Sequence, residues 1–308
     1  MFDLLGHRGA RGLWPENTLT GFARAIELGV SAVELDCGLT RDGVVVVSHD
    51  PELNRDCTRD ARGRFLESAG PRLRDLTYAQ LAAYDVGRLR PGSVYAARFP
   101  AQLALDGERI PRLADVLTLV RARGRGRVRI AIEVKTFPEQ PHLTPAPREF
   151  VEALRVDLQQ TGTTALASVL AFDWRVLREI QQLMPQVATA ALTEEQPGED
   201  TVRIGSPRPS PWLGGLDPAD FDNSVVRLVK ASGAGTWGPD YLDLDAKRIE
   251  QAHALGLRVV PWTVNDVTDM ERMLAFEVDG MITDRPDVLR ALLERSGVAL
   301  PPSAQEHP

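Results

Sequence analysis

The stretch SAVELDCGL, residues 31–39, is the clearest indication of the fold, because large apolar side chains recur at alternate positions. Valine, leucine, cysteine and leucine occupy every second position from 33 to 39. A period of two is typical of a β-strand, whose successive side chains point to opposite faces. One face is apolar, whereas the other carries Glu34 and Asp36. Burying two carboxylates this close together is costly, so a compensating cation or donor is expected beside them.

Strands and helices alternate on both sides of this segment. Seven further apolar runs predict strands at 2–7, 127–135, 165–170, 187–192, 235–239, 257–263 and 278–283. Amphipathic segments predict helices at 18–29, 112–122, 147–161, 173–184, 218–231, 245–255, 267–275 and 286–295. Such alternation indicates parallel strands with helical crossovers, and eight units indicate an α/β protein with a (β/α)₈ TIM barrel. The alternative, a doubly wound open sheet, usually carries a G-x-G-x-x-G loop, and GHRGARG at 6–12 lacks that spacing.

The alternation is interrupted after the second strand. Residues 51–110 are rich in Arg, Pro and Gly, with one predicted helix at 77–85. We interpret them as a small inserted subdomain, because they lack the strand–helix pattern of the remainder. The prediction is therefore one domain over 1–296, followed by a flexible tail at 297–308.

Composition, net charge and hydrophobic pattern argue against several classes of protein. The chain has 308 residues, 43% of them hydrophobic, and a net charge of −7, which argues against nucleic-acid binding. No apolar run reaches the length of a membrane span, so stable membrane insertion is not expected. The opening MFDLLGHRGA lacks the pattern of a signal peptide, which favours a cytoplasmic location; an exported protein without its leader is the alternative. Cys37 is expected to be a buried free thiol. The sequence does not indicate an oligomeric state.

Polar side chains gather at the predicted carboxyl ends of the strands, where TIM-barrel active sites lie. These residues are His7, Arg8, Glu34, Asp36, His49, Asp50, Glu133, Lys135, Trp262 and Asp284. The sequence therefore predicts an active site at that end of the barrel.

Three of these residues are candidate metal ligands. Glu34, Asp36 and Glu133 come from two strands and offer only hard oxygen atoms, which suit Mg²⁺ or Ca²⁺ better than zinc. The alternative is a set of ion pairs, Glu34 with Arg8 and Glu133 with Lys135.

The remaining candidates suggest acid–base chemistry on an anion. His7 and His49, at neighbouring strand ends beside the acids, suggest an acid–base pair. Arg8 and Lys135 fit an anionic ligand such as a phosphate. Trp262 either fills the core or forms a wall of the substrate pocket.

Five motifs stand in a recognisable order, and together they resemble the glycerophosphodiester phosphodiesterase family. They are GHRGARGLWPENT (6–18), VELDCGLTRDGVVVVSHD (33–50), IAIEVK (130–135), VVPWTVND (259–266) and VDGMITDRPD (278–287). The resemblance covers residues 5 to about 290. It implies a TIM barrel with an insertion after the second strand, as the alternation itself predicts.

The resemblance also implies a role for each motif residue. It assigns the acid–base pair to His7 and His49, the metal to Glu34, Asp36 and Glu133, and the substrate phosphate to Arg8 and Lys135. Glu16 and Asn17 are implied to border the pocket. There Glu16 is a candidate to reach the metal or its water, and Asn17 is also a candidate N-cap of the following helix.

The expected activity is hydrolysis of a glycerophosphodiester to glycerol 3-phosphate and an alcohol, with one Mg²⁺ or Ca²⁺ and a small-molecule substrate of lipid or glycerol metabolism. The resemblance implies attack by the neighbouring glycerol hydroxyl through a cyclic phosphate; the residues alone do not separate this from direct attack by water. One alternative is a lysophospholipase D-like or sphingomyelinase D-like lipid phosphodiesterase, with apolar residues of the 194–215 loop and its flank, Trp212, Leu213 and Leu216, at a membrane. Another is a non-catalytic barrel that binds phosphodiesters.

Overall fold

Eight parallel strands surround one axis in the computed structural model, which describes residues 2–300. With one further antiparallel strand, β3, they form a sheet of nine strands. In chain order these are β1 (Asp3–Gly6), β2 (Ala32–Leu39), β3 (Val45–Val47), β4 (Arg129–Val134), β5 (Ala167–Ala171), β6 (Ala188–Thr193), β7 (Thr236–Pro239), β8 (Arg258–Val259) and β9 (Gly280–Thr283). Their order is β8-β7-β6-β5-β4-β2-β1-β9, and β3 pairs antiparallel with β2 outside this ring. Backbone hydrogen bonds of 2.9 Å from Asp279 to Val259 and from Ile282 to Pro261 join the two ends, so the barrel is nearly closed. The predicted TIM barrel is confirmed.

Helices cover the outside of the barrel. They are α1 (Leu19–Leu28), α2 (Tyr78–Leu81), α3 (Val94–Ala97), α4 (Leu113–Arg123), α5 (Pro147–Thr161), α6 (Trp174–Leu183), α7 (Val225–Ala231), α8 (Ala246–Ala254), α9 (Val267–Ala275) and α10 (Pro286–Arg295). None of the helices within residues 2–300 is both long and apolar enough to cross a bilayer.

Two predicted helices were too long. The segment 218–231 contains a 3₁₀ turn, Pro218–Phe221, before α7, because Asp222 and Asn223 adopt positive φ angles of 56° and interrupt the helix. The segment 77–85 keeps only α2, because the backbone of Asp85 instead pairs with that of Arg59.

The alternation along each strand separates two cores. One set of side chains packs outward beneath the helices, including Leu35, Ile132 and Trp237. The opposite set fills the barrel interior with Leu5, Ala32, Ala131, Leu170, Ala190, Leu192, Val260 and Ile282. Inward-facing residues further along the strands therefore reach the carboxyl end of the barrel, above this apolar plug.

The segment between β3 and α4 builds a small core of its own from Val46, Leu53, Leu73, Leu81 and Ile110. This segment packs directly against β2. At Gly38 of β2 there is no room for a side chain, because a Cβ there would lie 2.4 Å from Leu73 Cδ1. The division into one domain with an insertion stays a prediction. Most of the predicted tail, 301–308, lies outside the described residues.

Candidate active site

The three candidate metal ligands converge. Glu34 and Asp36 point inward from β2, and Glu133 from β4 lies directly opposite Asp36 in the strand register. One carboxylate oxygen from each lies within 4.8 Å of the others, and all three side chains are buried. Neighbouring parallel strands thus place three acids at one point, as the period-two pattern predicts.

The pKa values of Glu34 and Asp36 are shifted in opposite directions. Burial, followed by the charges of Asp36 and Glu133, raises the pKa of Glu34 well above its usual range. Burial also opposes ionisation of Asp36, but Lys135 and Arg8 outweigh it and hold the pKa of Asp36 well below its usual range. Asp36 Oδ1 accepts no hydrogen bond, although Lys135 Nζ lies 3.1 Å away. Converging hard oxygens and an unsatisfied buried acceptor fit a divalent cation, so the triad could hold a metal ion.

Two cations share the site with the triad. Arg8 follows β1 with a φ of 51°, and its backbone N–H donates to Glu34 Oε2 at 2.9 Å. Its guanidinium contacts Asp36, at 3.1 Å, and not Glu34. Lys135 contacts both Asp36 and Glu133. Of the two ion pairs in the alternative interpretation, Glu133 with Lys135 is present. Arg8 pairs with Asp36 where Glu34 was expected. These ion pairs coexist with the acid triad.

His7 directly follows β1 and lies inside the same site. Its Nδ1 lies 2.7 Å from Asp284 Oδ1, a contact that requires the N–H at Nδ1 because an ionised carboxylate only accepts. Its Nε2 then carries the lone pair and lies 3.9 Å from Glu34 Oε2. Burial, assisted by Arg11 and Arg8 and opposed by Asp284, lowers the pKa of His7 to about 4.

Arg11 is a site residue that the sequence did not identify. It donates to Asp284 through Nε at 2.9 Å and Nη2 at 3.0 Å, and its guanidinium carbon lies 4.6 Å from the centre of the Phe99 ring. Together with His7, these donors hold the pKa of Asp284 well below its usual range, against its burial. Asp284 is thereby held as a charged partner of His7.

His49 lies beyond the end of β3. Its Nδ1 lies 2.6 Å from Asp50 Oδ1, and Asn54 holds Asp50 with a 2.8 Å hydrogen bond. The His49 side chain is 36% exposed, against 11% for His7. Both imidazoles are oriented by a carboxylate at Nδ1 and both line the cavity above the triad.

Of the two candidates at the end of the first motif, Asn17 contacts the triad directly, and Glu16 is linked to it through Arg8. The Glu16 carboxylate accepts hydrogen bonds from Arg8 and from Tyr95, a residue of the insertion that the sequence did not identify. Asn17 Nδ2 donates to Asp36 Oδ2 at 3.0 Å. The prediction of Asn17 as a helix N-cap is wrong, because Thr18 caps α1 by accepting from the backbone of Gly21.

A cavity of about 610 Å³ opens above these residues. Trp262 forms part of its wall, with its indole N–H donating to the Gly238 carbonyl at 2.8 Å. The ring stands edge-on to Phe172 with 5.3 Å between centroids. The volume lies within the range of roughly 300–1,000 Å³ typical of small-molecule sites.

Comparison with known proteins identifies relatives that match nearly the whole chain. A protein from Silicibacter pomeroyi, described as a candidate glycerophosphoryl diester phosphodiesterase, superimposes with a TM-score of 0.87 at 35% identity over 97% of this chain and 95% of its own. A glycerophosphodiester phosphodiesterase of Caldanaerobacter subterraneus subsp. tengcongensis is 28% identical over 96% of this chain and 98% of its own. An Oleispira antarctica phosphodiesterase solved with sn-glycerol-3-phosphate shares the fold, with a TM-score of 0.68 at 19% identity over 95% of this chain and 96% of its own.

Fold and site define a phosphoric diester hydrolase of the TIM-barrel class. Residues 7–288 match the model of the Glycerophosphoryl diester phosphodiesterase family, and the chain belongs to that family. The resemblance seen in the five sequence motifs is confirmed.

Proposed function

We propose that this chain hydrolyses glycerophosphodiesters to glycerol 3-phosphate and an alcohol, with Mg²⁺ or Ca²⁺ held by Glu34, Asp36 and Glu133. The observation that carries the proposal is the convergence of this triad beneath a cavity lined by His7 and His49. The glycerol 3-phosphate bound by the Oleispira antarctica protein, and described there as the product, supports the same chemistry.

The bound cation would supply positive charge for a non-bridging phosphate oxygen and stabilise charge in the transition state. Arg8 and Lys135 lie beside the triad and orient the phosphate from the same side. Asp284 and Asp50 fix the two imidazoles with their Nε2 atoms available to the substrate. The protein thus offers two positioned proton carriers.

In the first step, one imidazole removes the proton of the glycerol 2-hydroxyl, whose oxygen bonds to phosphorus. The other imidazole, protonated, donates its proton to the departing alkoxide, so the alcohol leaves and a cyclic phosphate remains. In the second step the roles reverse: water loses a proton to one imidazole, the ring opens, and the released oxygen of glycerol receives a proton from the other. Protons and bonds balance, and the protein returns to its starting state.

The test is release of glycerol 3-phosphate from glycerophosphocholine and glycerophosphoethanolamine after the protein has been stripped with a chelator. We expect no release until Mg²⁺ or Ca²⁺ is returned, and the two ions tested separately identify the one used. A diester whose glycerol lacks the 2-hydroxyl should not be cleaved. Full activity of the stripped protein would overturn the metal site, and cleavage of the deoxy diester at full rate would overturn internal attack.

Water-soluble diesters fit the structure better than lipid substrates. In the 194–215 loop, Leu213 is buried and the Trp212 ring packs edge-on against Phe137 at 6.3 Å, so these residues face the protein. Lysophosphatidylcholine in the same substrate panel tests the lipid alternative, and any turnover excludes the non-catalytic barrel. A cytoplasmic location stays a prediction.

A further inference from the structure

The segment between β3 and α4, the predicted insertion, packs against the loop that follows β1. The Gln102 side chain donates to the backbone carbonyl of Arg11 at 2.7 Å, and the backbone N–H of Leu103 donates to the carbonyl of Leu13 at 2.8 Å. The loop after β1 carries both Arg8 and Arg11, so the segment lies directly beside the charged groups of the active site.

Tyr95, in the short helix α3 of this segment, places its hydroxyl between two charged side chains. The hydroxyl donates to Glu16 Oε2 and accepts from Arg11 Nη1 at 3.3 Å. Burial, followed by the charge of Glu16, raises the pKa of Tyr95 well above its usual range, although Arg8 and Arg11 oppose this shift. The hydroxyl therefore keeps its proton at neutral pH and acts as a donor to Glu16.

Glu16 connects this hydroxyl to the phosphate side of the site. It accepts from Arg8 Nη1 at 2.8 Å, and Asp36 Oδ2 lies 3.1 Å from Arg8 Nε, so two of the three guanidinium nitrogens have a fixed partner. Burial opposes ionisation of Glu16, but the two arginines and the Tyr95 hydroxyl outweigh it and lower the pKa of this carboxylate. Glu16 is therefore held as a charged partner that orients Arg8, and Arg8 lines the cavity.

Arg11 connects the same hydroxyl to the histidine side of the site. Its Nε and Nη2 donate to Asp284, which holds His7 at Nδ1, and its Nη1 donates to Tyr95. All three guanidinium nitrogens of Arg11 thus have a defined partner. The Tyr95 hydroxyl therefore links two chains of contacts, one to His7 through Arg11 and Asp284, the other to Arg8 through Glu16.

We propose that Tyr95 is a positioning residue for the reaction: its hydroxyl orients Arg8 toward the substrate phosphate through Glu16, and it steadies the Arg11–Asp284 pair that orients His7. The inference rests on the proposed function and adds a residue to its site. Hydrogen bonds with a charged partner are stronger than those between neutral groups, so loss of this one hydroxyl disturbs both contacts. A misplacement of about 1 Å is sufficient to cost up to about 10²-fold in rate.

The test is Tyr95→Phe, which removes the hydroxyl and keeps the ring. The ring still packs edge-on against Phe99, with 5.3 Å between centroids, so the melting temperature should stay close to that of the wild type. On glycerophosphocholine we expect kcat to fall about tenfold, because the orientation of His7 is less well defined.

Tyr84→Phe is the matched control. It removes the hydroxyl of another tyrosine of the same segment, which packs on the segment's own core and does not line the cavity. This variant should keep the wild-type rate.

Binding of glycerol 3-phosphate, followed by calorimetry with Mg²⁺ or Ca²⁺ present, gives a readout independent of turnover. Tyr95→Phe should bind it about threefold more weakly, because Arg8 is less firmly oriented. In the Glu16→Gln background the same substitution should leave this affinity nearly unchanged, since groups that act through one another give non-additive effects. A full further loss in the double variant would contradict the link through Glu16.

Wild-type kcat and wild-type affinity in Tyr95→Phe, or a change in only one of them, would overturn this inference and leave the phosphodiesterase assignment intact. Parallel losses of kcat and of the melting temperature would give Tyr95 a structural role instead, and would also overturn it. A wild-type protein that hydrolyses no glycerophosphodiester would overturn the proposed function and this inference with it.

Discussion

Asp284 and His7 are 277 residues apart in the chain, yet Asp284 Oδ1 lies 2.7 Å from His7 Nδ1. The contact joins the last strand of the barrel to the first, since β1 and β9 are paired neighbours. Arg11, in the loop after β1, donates two hydrogen bonds to the same carboxylate. The orientation of one candidate catalytic histidine therefore depends on the pairing of β1 with β9.

Replacing Asp284 with Asn should impair turnover more than binding. An amide does not hold the Nδ1–H of His7 as a carboxylate does, so we expect kcat to fall by about 10²–10⁴, with a smaller change in KM. Asp279→Asn is the control, since Asp279 contacts His253, at 3.0 Å, outside the cavity. Steady-state kinetics of both variants check this, and equal effects would argue against a positioning role for Asp284.

His49→Ala should reduce the rate by about 10²–10⁴, the usual range for loss of an acid–base group. Because the His49 side chain is 36% exposed, its removal should change the melting temperature little. His253→Ala, outside the cavity, should retain the wild-type rate. Measurements of turnover and thermal unfolding separate the two effects, and near-normal turnover would remove His49 from the mechanism.

Glu34→Gln should have opposite effects on the stripped and the metal-loaded protein. Without a metal, the variant removes repulsion within the triad, so we expect it to be more stable than the wild type, because burial and the charges of Asp36 and Glu133 raise the pKa of Glu34. With a divalent ion at 100 times its Kd, the wild type should gain about 2.7 kcal/mol, and the variant should lose most of this gain.

Unfolding curves in chelator, in Mg²⁺ and in Ca²⁺ measure both effects, with NaCl at equal ionic strength as the control. An equal gain for both proteins on adding the ion would place the metal elsewhere.

The stability of the wild type should fall as pH rises from about 4 to 7 through the titration of Glu194. Its folded pKa, raised to about 7 by burial and the neighbouring acids, exceeds that of an unfolded glutamate, so the folded protein binds the extra proton in this window. Glu194→Gln should therefore match the wild type near pH 4. At pH 8 it should be more stable by about 1 kcal/mol, once solvent screening is allowed for. Denaturant unfolding at both pH values checks this, and a constant difference would contradict it.

The fold and the acid triad could be predicted because they follow from local alternation. A period of two shows which strand residues share a face, so Glu34, Asp36 and Glu133 could be placed together before any coordinates. Glu194 carried the same signal, as the inward row continues one step past β6. The predicted strand ends at 192, which places the glutamate in the following loop.

Arg11 and Tyr95 could not be found in this way. Arg11 lies in the loop between β1 and α1, and its partner Asp284 is 273 residues away, so no local pattern joins them. Tyr95 belongs to the insertion, which lacks periodicity, and reaches Glu16 only in the folded protein. The sequence places Asp284 at the end of a predicted strand. Its role depends on its contacts with His7 and Arg11, which form only in the folded protein.

The contact between the first and last strands also bears on biosynthesis. A ribosome has to deliver nearly the whole polypeptide before Asp284 can reach His7. Prematurely terminated products that stop short of β9 would carry both histidines and the acid triad but no anchor for the first imidazole. Incomplete translation products of this hydrolase are therefore expected to be inert, and activity should emerge only at the end of synthesis.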